Sequence, residues 1–251
     1  MVASERCQDV KAAYIEETGP PSVIQYGDLP TPEPSGAQVL VKVGAVAVNP
    51  VDTYIRNGAN YWELPKPFVI GCDVAGTVEA VGPDAKRFKA GDRVWGTNQG
   101  LVGRQGTFAE YCAIDECWLY PTPDGVSDET AAANSLVGVT AHLGLFRDAQ
   151  LQPGETLCVH GGTGGVGSMV LQMAKAAGAR VIATAGSDEK AELCTSLGAD
   201  EVVLYKSQNE VEEAQRLAPN GVNVFWETLR EPNFDNIVAV MAERGRIVLM
   251  A

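Results

Sequence analysis

The chain has 251 residues but only two histidines, His142 and His160, and its six cysteines form no C-x-x-C pair. This excludes a histidine-rich metal site. The spacing of Cys7, Cys72, Cys112, Cys117, Cys158 and Cys194 suits neither a zinc knuckle nor a disulfide scaffold, so the cysteines read as plain thiols in a reducing compartment. Cationic residues are also scarce: 19 Lys and Arg against 32 Asp and Glu give a net charge of −13. No basic field exists to gather phosphates, which argues against a nucleic-acid partner and against anionic membranes. No uninterrupted apolar run reaches the roughly 20 residues of a membrane-spanning helix. The N-terminal "MVASERCQDVKAAYIEETG" lacks a signal-peptide core, so a cytoplasmic location is expected.

The sequence has no internal repeat and changes texture near its middle. The first half carries short valine-rich runs broken by glycine, such as "QVLVKVGAVAV" and "FVIGCDVAGTVEAVG", with prolines at 30, 32, 34, 65 and 67 marking loops. This is the texture of a mostly β module. After "YPTPDGVSDET", Ser127 or Asp128 can cap a helix that starts near Glu129 and continues through "AAANSLVGVTAHLGLFRDA". From Glu155 onward, strands expected at 157–160, 181–185, 201–204, 222–226 and 246–250 alternate with helices. In the first of these helices Val166, Val170, Met173 and Ala177 make one apolar stripe, and Gly178 closes it. Alternation of this kind predicts a doubly wound parallel sheet with helices on both faces. The expected domains are 1–130 and 131–251, the second incomplete: "GRIVLMA" ends on an apolar strand, which suggests a fragment of something longer.

Gly162, Gly164 and Gly167, within the run Gly162-Thr163-Gly164-Gly165-Val166-Gly167, match G-x-G-x-x-G directly after an expected strand and at the opening of a helix. The first glycine permits a tight turn, the second lets backbone approach a pyrophosphate, and the third lets helix pack close on strand. Free N–H groups at the helix start then face the phosphates. A reader of NAD places a carboxylate at the end of the second strand to hold the ribose hydroxyls. Here that position is "TAGSDEK", where Ala185, Gly186 and Ser187 carry none. Room is left for a 2′-phosphate, with a hydroxyl from Ser187 and an ammonium from Lys190 one helical turn on. Asp188 and Glu189 read as first-turn acids that complement the helix dipole. The coenzyme expected is NADPH.

Taken together, "NPVDTYIRNG" (49–58), "GCDVAGTVEAVG" (71–82), "GDRVWG" (91–96), "GTFAEY" (106–111), "VGVTA" (137–141), "GGTGGVG" (161–167) and "GADEVVLY" (198–205) resemble the zinc-independent quinone oxidoreductase branch of the medium-chain dehydrogenase/reductase superfamily. The resemblance runs from Lys11 to Ala251. It implies a GroES-like β domain followed by a Rossmann domain, and a homodimer or homotetramer for a complete protein. Zinc-binding members of the superfamily carry a cysteine where this chain has Asn49, a His-Glu pair where it has Cys72-Asp73, and a four-cysteine lobe where it has "TNQGLVGRQGTF". Both zinc sites are expected to be absent.

By the same resemblance, Tyr54 and Tyr61 stand beside the nicotinamide, and Asn49 offers an amide to the nicotinamide ribose or the substrate. Asp52 orients its neighbours, Thr140 lies near the nicotinamide-side phosphate, and Tyr205 packs near the adenosine end. The implied reaction is hydride transfer from NADPH to a small quinone or enone. Two alternatives stay open from the sequence: an enoyl-thioester reductase, and a non-catalytic, crystallin-like NADPH-binding protein.

Overall fold

A computed structural model describes residues 9–59 and 62–250; Tyr61 lies outside the described residues. The chain divides into two compact units, Met1–Leu136 and Val137–Ala251.

The first unit is made of β1 (Asp9–Ile15), β2 (Gln25–Pro30), β3 (Gln38–Ala45), α1 (Pro50–Arg56), β4 (Phe68–Val69), β5 (Val74–Val81), β6 (Arg93–Gly96), β7 (Tyr111–Asp115), β8 (Leu119–Pro121) and α2 (Asp128–Ala133). The strands form two antiparallel sheets, ordered β2-β1-β4 and β7-β3-β5-β6-β8. The valine runs follow from this: Val39, Val41, Val74, Val78 and Val94 meet Cys112, Ile114 and Leu119 in one core. Strands β3 and β5 lie so close that a Cβ on Gly76 would run into the Lys42 carbonyl. This unit is the GroES-like module.

The second unit begins within α3 (Ser135–His142), which a π-helical turn (Leu143–Asp148) continues. It comprises β9 (Thr156–Val159), α4 (Gly165–Ala176), β10 (Arg180–Ala185), α5 (Asp188–Ser196), β11 (Glu201–Leu204), α6 (Glu210–Leu217), β12 (Val222–Glu227), α7 (Phe234–Val240) and β13 (Met241–Leu249). All five strands are parallel, in the order β11-β10-β9-β12-β13. This is the Rossmann arrangement, with its reversal of strand order between β9 and β12. Strand residues alternate between the two faces. Leu157, Val159, Val181 and Ala183 pack with Val170, Leu171 and Ala174 of α4 on one face. Cys158, Ile182 and Phe225 pack with Ala214 of α6 and Ile237 of α7 on the other. Among the described residues no helix is long and apolar enough to cross a membrane.

Three local expectations differ from the structure. Ser127 does cap α2, accepting a 3.2 Å bond from the Thr130 N–H, but the single expected helix breaks at Asn134. The Asn134 side chain donates to Thr130 O at 2.7 Å and Ser135 Oγ to Ala131 O at 2.8 Å, so polar side chains compete with the helical ladder. The stripe of α4 is centred on Val170, Leu171 and Ala174, with Val166 and Met173 only partly buried. The last strand starts at Met241, immediately after α7, and its pairing with β12 shifts register before Val224.

Candidate functional site

The end of β9 turns sharply. Gly161 has φ of 69°, and its N–H and that of Gly162 point at Thr184 of β10, donating to Oγ1 at 3.2 Å and to O at 3.3 Å. Gly162 is buried, and a Cβ there would lie 2.9 Å from Cys194 Sγ and 3.0 Å from Ala183 Cβ. Gly167 is buried as well, and its Cβ would collide with the Gly161 carbonyl. These two glycines seat α4 against the turn. Gly164 and Gly165, by contrast, are exposed, and the only atom near a Cβ on Gly164 is Gly161 O at 3.3 Å. The first-turn N–H groups of α4, from Gly165, Val166 and Gly167, have no intrahelical acceptor. Gly164 caps this helix without a side chain, and no acid occupies its first turn. Thr163 sits half-buried in the bend. The result is an outward-facing ring of amides suited to an anion.

A second corner forms beyond β10. Tyr205 follows β11, and a Cβ on Gly186 would lie 2.6 Å from the Tyr205 hydroxyl and 3.4 Å from Lys206 Cε. Both neighbours are the ends of exposed side chains, which lie directly over Gly186. Ser187 caps α5, its Oγ accepting from the Lys190 N–H at 3.4 Å, which leaves the hydroxyl proton free to donate. Ser187, Lys190, Tyr205 and Lys206 are all exposed. Sequence reasoning missed Lys206; its place directly after the aromatic in "VVLYKS" was the available signal. Thr140 is half-buried on α3, whose Gly138 faces Met169 and Met173 of α4.

In the first unit, Asn49 caps α1 and is 5% exposed, Asp52 is 3% exposed and Asp73 1%. Asp52 Oδ2 accepts from the Asn49 N–H at 2.7 Å, and the Asn49 amide donates to Asp73 Oδ2 at 2.8 Å. Cys72, fully buried, adjoins both carboxylates. Burial raises the Asp52 and Asp73 carboxyls above the usual carboxylate range; hydrogen bonds, including the Asn49 N–H to Asp52 and its amide to Asp73, only partly offset it. Burial, with the neighbouring Asp52 and Asp73, also drives the Cys72 thiol far up. Asp73 is a partner that sequence reasoning left out; a buried acid inside the apolar run "GCDVAG" was its signal. Tyr54 does not join this cluster. It lies two residues after Asp52, roughly 200° around the helix, and is 38% exposed.

A cavity of about 670 Å³ in the same unit is lined by Leu29, Val69, Arg104, Tyr111 and Trp118 among others and, among the described residues, touches none of the sequence-predicted ones.

Comparison with known proteins fits these observations. The family model for the alcohol dehydrogenase GroES-like domain matches residues 35–124, and that for zinc-binding dehydrogenases matches residues 165–251. The chain is 36% identical over 245 residues to the quinone oxidoreductase of Mus musculus, covering 96% of this chain and 73% of that one. It is 36% identical over 250 residues to a chloroplastic NADPH-dependent alkenal/one oxidoreductase of Arabidopsis thaliana, covering 97% and 63%. A mycobacterial structure solved in complex with NADPH matches with a TM-score of 0.82 and 37% identity, over 96% of this chain and 72% of that one.

One family description names zinc, whose usual protein donors are thiolate, imidazole and carboxylate. Zinc needs three or four ligands with thiols ionised. Asn49 brings an amide, which donates to Asp73, rather than a thiolate, imidazole or carboxylate. Among the described residues no group of three or more His, Cys, Asp or Glu gathers as a metal site. A GroES-like unit, a Rossmann unit with its glycine turn, and this level of identity place the chain in the quinone oxidoreductase branch of the medium-chain dehydrogenase/reductase superfamily, a family of nicotinamide-dependent oxidoreductases.

Proposed function

We propose that this chain carries out NADPH-dependent hydride transfer to a quinone or an α,β-unsaturated carbonyl, without zinc. The observation that carries the reading is the corner beyond β10. No carboxylate stands at Gly186 or Ser187, while Tyr205 and Lys206 crowd that position and Lys190 is the third residue of α5, after Asp188 and Glu189. A carboxylate there would repel a 2′-phosphate; a hydroxyl and two ammonium groups favour it. The amides of Gly165, Val166 and Gly167 bind the diphosphate, while the Gly164 N–H stays within the turn, donating to Gly161 O at 2.9 Å. Bound NADPH supplies the hydride.

In this reading residues 1–130 form the catalytic domain and 131–251 the nucleotide domain. With no Lewis acid, the acceptor must already be electron-poor, which is the argument for a quinone or enone over a simple alcohol. The printed name of the Arabidopsis thaliana relative, an alkenal/one oxidoreductase, supports the enone arm. Tyr54, part-exposed on α1, and Tyr61 are the phenols that donate to the developing enolate or quinol oxygen. Asn49 keeps one amide proton beyond its bond to Asp73 and orients ribose or substrate. Asp52 holds the start of α1 through the Asn49 N–H.

The test is a screen of NADPH and NADH oxidation, followed by nicotinamide absorbance, against a quinone, an enal and a crotonyl thioester. Turnover with NADPH on quinone or enal, unaffected by a zinc chelator, supports the reading. Turnover on the thioester alone moves the acceptor to acyl carriers. Equal use of both coenzymes overturns the phosphate corner.

A further inference from the structure

A histidine and two glutamates meet at the end of β9, outside the residues used above. His160 is the last residue before the glycine turn. Its Nδ1 lies 2.9 Å from Glu227 Oε2 of β12, and its Nε2 pairs with Glu210 Oε1 at the first position of α6. The Glu227 side chain is 1% exposed and that of His160 15%, so water does not stand in for Glu227, while the Glu210 side chain is 32% exposed. Glu227 Oε1 is itself occupied, accepting from the Leu229 N–H at 2.7 Å. A neutral imidazole has one N–H, so one of its nitrogens would present a lone pair to a carboxylate; only the imidazolium satisfies both. Burial pulls its proton affinity down, but Glu210 and Glu227 outweigh that and the net shift is upward. From β9 the ring is faced by Cys158, whose thiol burial keeps protonated, and from the α7 side by the uncharged Asn233 and Asn236 across a cavity of about 200 Å³. No cation among these lining groups competes with the imidazolium.

The ring joins two parts of the coenzyme site. The His160 N–H donates to Trp226 O at 2.9 Å, and the His160 carbonyl accepts from Thr228 Oγ1 at 3.2 Å. The backbone that starts the glycine turn is thus fastened to β12. Glu210 directly follows the loop 205–209, which carries Tyr205 and Lys206 against Gly186. Losing the ring proton frees Glu210, and with it the beginning of α6 and that loop.

We propose that His160 is a positioning residue for the coenzyme: its doubly paired ring fixes the glycine turn and the Tyr205–Lys206 loop relative to each other, and NADPH affinity depends on the ring carrying its proton. This rests on the coenzyme reading above. The pairing holds while the ring is protonated and the two carboxylates are ionised, and it is lost as pH rises through the folded-state value of His160, which lies above the usual histidine range.

The test measures NADPH affinity by fluorescence titration from about pH 7 to about pH 9.5, above the second ionisation of the 2′-phosphate near about 6. The ring is followed in parallel by NMR, where His142 gives the only other histidine signal. Affinity is expected to fall about tenfold, the worth of one charge-assisted hydrogen bond, with the same midpoint as His160. Glu210→Gln should move both midpoints down together. His160→Gln, checked for folding by circular dichroism, should make affinity flat with pH. Affinity that is flat in the native chain, or whose midpoint differs from that of His160, overturns the proposal while leaving the coenzyme reading intact. Failure of either coenzyme to bind at any pH overturns both.

Discussion

Replacing Gly167 by alanine adds one methyl where the structure has none to spare. The new Cβ would collide with Gly161 O and would also lie 3.0 Å from Gly161 C and 3.3 Å from Gly162 Cα. All three are backbone atoms of the turn, so no side chain can swing aside, and α4 must lift from the strand. Overpacking of this kind costs about 1–3 kcal/mol, of which the better helix propensity of alanine returns about 1 kcal/mol. The net loss of about 0–2 kcal/mol lowers Tm by a few degrees, at about 2–4 °C per kcal/mol for a chain of this size. Coenzyme binding should suffer more. Displacing the helix start misaligns at least one charge-assisted bond to phosphate, worth about 1.5–3 kcal/mol, so NADPH should bind about 10- to 150-fold more weakly. Gly138→Ala is the control, since its Cβ meets Met169 Cε at an ordinary 3.7 Å. Thermal unfolding and fluorescence titration on the same preparations separate the two effects. Gly167→Ala that binds NADPH as tightly as the native chain refutes the reasoning.

Further outcomes follow from other contacts. Lys206→Ala should weaken NADPH about fivefold, the roughly 1 kcal/mol of a solvent-screened ion pair, with NADH unchanged; equal loss for both coenzymes would remove Lys206 from the phosphate corner. Asp52 and Asp73 hold their protons more tightly folded than unfolded, so their contribution is most favourable below about pH 4 and is lost as pH rises through their raised folded values. Asp73→Asn keeps an acceptor for Asn49 and removes one buried charge. Urea unfolding at neutral pH should show equal stability or a gain of about 1 kcal/mol, with a shallower pH slope; a loss above about 2 kcal/mol would mean the carboxylate is needed ionised. Gly144→Ala drives a methyl into the Trp226 indole and should cost about 1–3 kcal/mol, read by chemical denaturation.

The parallel sheet was legible because strands buried on both faces must be apolar throughout, and "TLCV", "RVIATA" and "VNVFWE" are short runs bounded by turns. The glycine turn was legible because its spacing is local: Gly167 meets backbone atoms of Gly161 and Gly162 a few residues back, although Gly162 also meets Cys194 of α5 and Ala183 of β10. The helix break at Asn134 was hidden, since it depends on side chains choosing carbonyls four residues back over solvent. The Asn49–Asp73 bond spans 24 residues and the His160–Glu227 pair 67, and no periodicity records such meetings. Lys206 could have been read from its position after Tyr205, but only the approach of both to Gly186 gives it a reason.

The most direct measurement is an amide NMR titration of the chain with NADPH. The account predicts that the largest shifts fall on the N–H groups of Gly165, Val166 and Gly167, followed by Gly186, Ser187, Tyr205 and Lys206. Shifts confined to other places, such as the cavity beside Arg104 and Trp118, or no shifts at saturating NADPH, would contradict it.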